Sequence, residues 1–173
     1  SEHLAALRRN YTGLVDVLLA AADWSDAPAP RAECTDLCVL ASDKFYAVLD
    51  PAGGRLVFFF AGREQIIGPT AQFFIGFSDL SLWDLSRGQG ADPAQVMGAF
   101  ADAGEPFGAY TPVVVDAQTI RFTAADGRVK TYRLTESGLE VALRGVGETD
   151  IPLALSPRLR FTPGWASRNQ VGA

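Results

Sequence analysis

Histidine and methionine occur once each, as His3 and Met97, and the only cysteines are Cys34 and Cys38. A serine or cysteine nucleophile needs a base beside it, and His3 lies in an N-terminal turn, so triad chemistry is not expected. A structural zinc site needs further Cys or His ligands than Cys34 and Cys38 provide. No phosphate-cradling G-x4-G-K-S/T loop is present, and Gly88-Gln89-Gly90 alone means little without a strand and helix around it. The residues therefore predict no metal, no cofactor and no assigned catalytic group.

Positive charge is also scarce. Fifteen Lys and Arg stand against 20 Asp and Glu, a net charge of −5 with no basic cluster. Nucleic acid binding needs a basic stripe to neutralise phosphates, so neither nucleic acid nor an anionic membrane surface is an expected partner. No apolar run approaches the ~20 residues that span a bilayer. No basic, apolar, small-residue signal opens the chain at Ser1, and a cytoplasmic location is the expectation. Within one straight strand, residues four apart sit ~13 Å from each other. A disulfide is geometrically awkward at that separation, so Cys34 and Cys38 are expected to be half-buried thiols at the start of a strand, reduced or redox-indifferent.

What is present is a core. Hydrophobic residues make up 48% of the 173 positions and charged residues 20%. One domain of this size buries roughly 70% of its unfolded-chain surface. Residues 3 to 24 carry Leu4, Leu7, Tyr11, Leu14, Val15, Leu18, Leu19 and Ala22 at three- and four-residue spacing, which predicts one long helix with one apolar face. Pro28 and Pro30 end it, so residues 1–31 read as helix and connector and 32–173 as the sandwich it packs on.

From there the texture is β. CVLASD and KFYAVLD read as one long or broken strand, the turn Asp50-Pro51-Ala52-Gly53-Gly54 reverses the chain, and RLVFFFAG returns. Side chains alternate along a strand, so Phe59 opposes Phe58 and Phe60 and both faces must be covered. EQIIGPT and AQFFIGF follow as short strands, and residues 78 to 111 are irregular, with a short helix expected over 92 to 102 behind Asp92-Pro93. From Pro112 on a meander is expected, ending in IPLALSPRLRF. Ile120, Phe122, Val129, Tyr132, Leu134, Leu139, Val141 and Leu143 are assigned inward, with Arg121, Arg133 and Arg144 outward. One helix before at least seven strands predicts a mainly β, antiparallel β-sandwich.

Carboxylates are the only acid/base candidates in number. A glycosidase pair around Asp79, Asp84 and Glu105 is one reading, though most carboxylates fall at turns where they bond locally. Aromatic rings can stack on sugar faces, and Trp24, Tyr46, Trp83, Tyr110 and Trp165 are the candidates. Trp83 lies in the irregular segment beside Asp79 and Asp84, so Trp83, Asp79, Asp84 and Tyr110 form the candidate carbohydrate-binding set. Trp24 and Trp165 read as packing residues.

The helix from Tyr11 to Trp24, followed by VLASDKFYAVLDPAGGRLVFF, resembles the region after the catalytic barrel in family-57-type glycoside hydrolases. Leu40, Asp43, Tyr46, Ala47, Val48, Pro51, Gly53, Gly54 and Leu56 carry the likeness. The segments TYRLTESGLEVALRG and IPLALSPRLRFTPGW are similar to the closing strands of a galactose-mutarotase-like sandwich. Together the likeness covers residues 11–60 and 128–165. It departs at Ala32-Glu33-Cys34-Thr35-Asp36, where many relatives carry an Asp-rich segment, and in the absence of a sandwich histidine. The resemblance implies a galactose-mutarotase-like fold and a non-catalytic accessory domain, not epimerase activity. Its implied partners are the catalytic domain of a parent carbohydrate-active enzyme, met through the N-terminal helix, and a polysaccharide or oligosaccharide. The rival readings are a stand-alone enzyme using a carboxylate pair and a structural interaction module without ligand.

Overall fold

The computed structural model describes residues 2–67, 99–102, 105 and 108–145. Among these residues a helix, α1 (Glu2–Asp26), precedes nine strands: β1 (Arg31–Cys34), β2 (Cys38–Ala41), β3 (Phe45–Asp50), β4 (Arg55–Ala61), β5 (Glu64–Ile67), β6 (Tyr110–Asp116), β7 (Thr119–Ala124), β8 (Val129–Thr135) and β9 (Gly138–Arg144). They form two antiparallel meanders, a five-stranded sheet in the order β1-β2-β3-β4-β5 and a four-stranded sheet in the order β6-β7-β8-β9. This is the mainly β, two-sheet antiparallel architecture that the strand texture predicts, with the one long helix added. Residues 92–98, AQFFIGF, IPLALSPRLRF and Trp165 lie outside the described residues. At the end of the expected short helix, Ala99 is instead in an isolated bridge to Leu56 and Ala101–Asp102 are not helical.

Of the two expected forms of the stretch from Cys38 to Asp50, one long or one broken strand, the broken one is found, as β2 and β3. Ser42 Oγ accepts the backbone N–H groups of Lys44 and Phe45 at 3.1 and 3.0 Å, which reverses the chain between β2 and β3. A second early reversal, over Thr35 to Leu37, corrects the reading of the cysteines. Cys34 and Cys38 are not on one straight strand but are cross-strand partners of β1 and β2, with Cα atoms 4.0 Å apart, and they are joined as a disulfide.

Two apolar layers follow from alternation. Between the sheets, Leu40, Ala47, Leu49, Leu56 and Phe59 of the first meet Ile120, Phe122, Tyr132 and Leu134 of the second. On the opposite face of the first sheet, Ala41, Tyr46, Val48, Val57 and Phe58 pack against Val17, Ala21 and Trp24 of α1. Phe58 and Phe60 thus go one way and Phe59 the other, as alternation requires. A bulge opposite Val48 and Leu49 adds Val57 to the helix side, since Val48 pairs with Phe58 and Leu49 with Leu56.

Two parities differ from expectation. The helix docks through Val17, Ala21 and Trp24, a sector roughly 100° from Leu18. Val15, Leu18 and Leu19 of the expected stripe are 52%, 40% and 59% exposed. Trp24 decides the docking: its ring lies 5.3 Å from that of Tyr46 and its indole N–H donates to the Ser42 carbonyl at 2.8 Å. On β8, Val129 and Thr131 face outward, while Lys130 goes inward with Tyr132 and Leu134.

The disulfide closes a loop of only five residues, Cys34 to Cys38, for which chain entropy gives about 2 kcal/mol. The double substitution Cys34→Ala/Cys38→Ala is expected to lower stability in urea denaturation by about 2 kcal/mol with a single cooperative transition retained.

Candidate functional site

The site grows from the reversal between β3 and β4. Gly53 and Gly54 both hold positive φ, 87° and 53°, which side chains other than glycine's would strain. A Cβ on Gly54 would stand 2.9 Å from Cγ of Tyr110, so the turn also needs glycine for close approach. Asp50 and Arg55 flank it and are buried together. Arg55 donates through its Nη2 to Asp50 Oδ2 at 2.7 Å and through Nε to the Ala52 carbonyl at 3.0 Å, while Asp50 Oδ1 accepts the Ala52 N–H at 2.8 Å. A buried pair of this kind holds only where its remaining hydrogen-bonding groups are also engaged.

The same turn is bonded to the segments that precede β6. The Gly53 N–H donates to the Gly108 carbonyl at 2.7 Å and the Tyr110 N–H to the Pro51 carbonyl at 3.1 Å. Leu56 and Ala99 exchange N–H···O bonds of 2.8 and 2.9 Å. Phe100 next to them has a φ of 64°, rare for a bulky residue, and its carbonyl is aimed at β8.

From β8, Lys130 reaches into this junction. It is 1% exposed, and its Nζ donates to the Gly53 and Phe100 carbonyls, each at 2.7 Å, and meets Asp102 Oδ1 at 2.9 Å. The ammonium also lies 4.7 Å from the centre of the Tyr110 ring. Tyr132, two residues on, donates its hydroxyl to the Gly54 carbonyl at 2.7 Å. Asp102 Oδ2 accepts from the Tyr110 hydroxyl at 2.7 Å and from Arg128 Nη1 at 2.6 Å. Arg128 then spreads its remaining donors over Glu105 at 2.9 Å and Asp126 at 2.7 Å. Burial pushes the Lys130 ammonium below the ordinary lysine range, with Asp102 opposing that shift. Burial, reinforced by Asp102, raises the hydroxyls of Tyr110 and Tyr132 above the usual tyrosine value.

Chemically, the cluster is closed. The three N–H bonds of Lys130 have three acceptors, so the amine offers no lone pair to an electrophile. Asp102 accepts from three donors, and the Arg128 guanidinium occupies the position among Asp102, Glu105 and Asp126 where a cation would sit. Among the described residues no group of His, Cys, Asp and Glu is arranged to hold a metal, and no buried side-chain N or O lacks a partner. The arrangement is a polar clasp between two sheets.

Of the expected carbohydrate-binding set, Trp83, Asp79 and Asp84 lie outside the described residues. Tyr110 is 5% exposed, packed on Gly54 and beside Lys130, so its ring is no solvent-facing platform for a sugar. Glu105, of the rival catalytic pair, is bonded to Arg128. Sequence reasoning passed over Lys130, Asp102, Arg128 and Arg55. The signal for Lys130 was available in RVKTYRLT: the parity that turns Tyr132 and Leu134 inward turns Lys130 inward too.

Removing either end of the central pair leaves buried polar groups without partners, which costs about 3–5 kcal/mol. Lys130→Met and Asp102→Asn are each expected to lose that much in urea denaturation. The double variant should lose less than the sum, because one partner no longer strands the other. Alkali tests the tyrosines. Their folded-state pKa values are raised, so the stability they contribute is complete below the unfolded value near 10 and falls as pH rises past it. Each of these tyrosines costs about 1.4 kcal/mol per pH unit there, while Lys130, shifted down, acts in the opposite sense only below its own unfolded value of about 10.4 and leaves the decline above it uncompensated. Melting temperatures measured from pH 9 to 12 should therefore decline above about pH 10, and less steeply in Tyr132→Phe. No protein-family model, curated protein or solved structure matches this chain.

Proposed function

We propose that the chain is a non-catalytic accessory domain, a β-sandwich that seats against the catalytic domain of a carbohydrate-active protein through α1. The observation that supports docking is the second apolar sector of the helix. Val15, Leu18 and Leu19 are 52%, 40% and 59% exposed on a helix whose adjacent sector is already committed to the first sheet. Covering a leucine side chain stabilises by about 1.5–3 kcal/mol, so this face favours a partner. The fully bonded state of Lys130, Asp102 and Arg128 supports a role without catalysis by the cluster. The catalytic-domain partner, the galactose-mutarotase-like character of the sandwich and the carbohydrate setting rest on the resemblance of residues 11–60 and 128–165. Contact with a polysaccharide or oligosaccharide belongs, in this reading, to Trp83, Asp79 and Asp84.

The test is a calorimetric titration of this protein with the catalytic domain of a family-57-type glycoside hydrolase. Leu18→Asp and Leu19→Asp should each weaken binding about tenfold or more, the loss expected on withdrawing one buried leucine. Unchanged affinity in both variants, or turnover of a glycoside by this chain alone, would overturn the proposal. Binding through the same leucines to a domain without carbohydrate chemistry would leave a plain interaction module.

A further inference from the structure

The outer face of the second sheet lies on the far side of the molecule from α1, and it carries a groove whose chemistry is separate from helix docking. Because Lys130 and Tyr132 turn inward, Val129 and Thr131 between and before them turn out. In the register, Thr131 lies between Arg121 of β7 and Ala142 of β9, and Val129 lies between Thr123 of β7 and Arg144 of β9. Two long cationic side chains therefore stand at diagonal corners of a floor made of short ones. They are two strands apart, about 10 Å laterally, a gap that two guanidinium arms can close on one small group. The resulting depression has a volume of about 490 Å³ and is lined by Arg121, Thr123, Val129, Thr131 and Arg144 among others.

Among the described residues, Arg121 and Arg144 differ in bonding from most of the other arginines. Arg31, Arg55, Arg63 and Arg128 each form an ion pair, and Arg133 faces Glu140 across β8 and β9. Among the described residues Arg121 and Arg144 form none. Two guanidinium groups that have no ion pair among the described residues line one groove on a chain of net charge −5, which concentrates positive potential there. Guanidinium forks bind oxyanions by paired N–H···O bonds, and threonine hydroxyls add donors from below.

We propose that this groove binds a tetrahedral oxyanion, a sulfate or phosphate group, clasped between Arg121 and Arg144 with Thr131 and Thr123 donating from the floor. Donors on two walls and a floor approach the ligand from several directions, which suits oxygens arranged tetrahedrally better than the two coplanar oxygens of a carboxylate. The group can come free in solution or as an ester on a sugar chain, and the shared chemistry is the oxyanion.

The test is isothermal titration at low ionic strength with three probes: inorganic sulfate, inorganic phosphate and a sulfated heparin oligosaccharide. Arg121→Gln and Arg144→Gln should each weaken binding about tenfold, as loss of a charged hydrogen-bonding partner does, and the double variant should abolish it. Arg63→Gln, which removes an exposed charge elsewhere, should bind like the unaltered protein. All the altered side chains are exposed, and an unchanged melting temperature checks that each variant folds. Binding of the inorganic ions identifies a free-anion site, and binding of the oligosaccharide alone identifies an ester-bearing chain. No binding of any probe overturns the proposal. Equal loss in Arg63→Gln, or full binding by the double variant, does the same.

Discussion

The buried ammonium of Lys130 is the constraint around which the two sheets are arranged. Placing a cation in the interior carries a large desolvation cost, offset here only when the Gly53 carbonyl, the Phe100 carbonyl and Asp102 are all in reach at once. Those acceptors belong to the β3–β4 turn and to the segment before β6, while the donor belongs to β8. A shift of one sheet on the other by a single residue would leave the charge without its partners. Such a pair adds little net stability over a well-packed apolar substitute, but it penalises misalignment heavily. The two left-handed glycines and the positive φ of Phe100 fit this demand, since each turns a carbonyl toward β8 or permits Tyr110 to come close.

The sheets differ in how many faces they cover, and the sequence texture follows. The first sheet is sandwiched between α1 and the second sheet, so β3 and β4 are nearly continuous apolar runs. Among the described residues the second sheet is covered on one face only, and β7 and β8 alternate in burial along their length. Its outward positions are thus free to carry arginine and threonine without disturbing the core, which makes that face available for recognition while the first sheet serves as scaffold.

Much of the fold was legible for the same reason. Alternation placed Phe58, Phe59 and Phe60 correctly, and the Gly53-Gly54 reversal identified the β3–β4 hairpin. What sequence reasoning missed were events of three residues or fewer. The turn over Thr35 to Leu37 converts a spacing of ~13 Å in an extended strand into a bonded cysteine pair, and nothing in Cys-x3-Cys separates the two cases. On α1, two neighbouring sectors are apolar, and the choice between them was made by Trp24 finding Tyr46 and the Ser42 carbonyl, partners visible only in three dimensions. The clasp was hidden by composition, because a lysine on a strand is read as a solvent residue unless its parity is counted. Of the carbohydrate-binding set, only Tyr110 falls within the described residues, and it belongs to the interior.

The meander topology bears on how the chain reaches this state. Every strand in each sheet pairs with its neighbour in sequence, so each sheet closes only short loops and can assemble locally. The bond from Lys130 to Gly53 spans 77 residues, and the one from Tyr132 to Gly54 spans 78. Joining the sheets therefore carries the largest entropic cost of ordering. A folding barrier set by that joining step would place the two sheets early in the folding sequence and the clasp late, with the clasp governing how slowly the finished molecule comes apart.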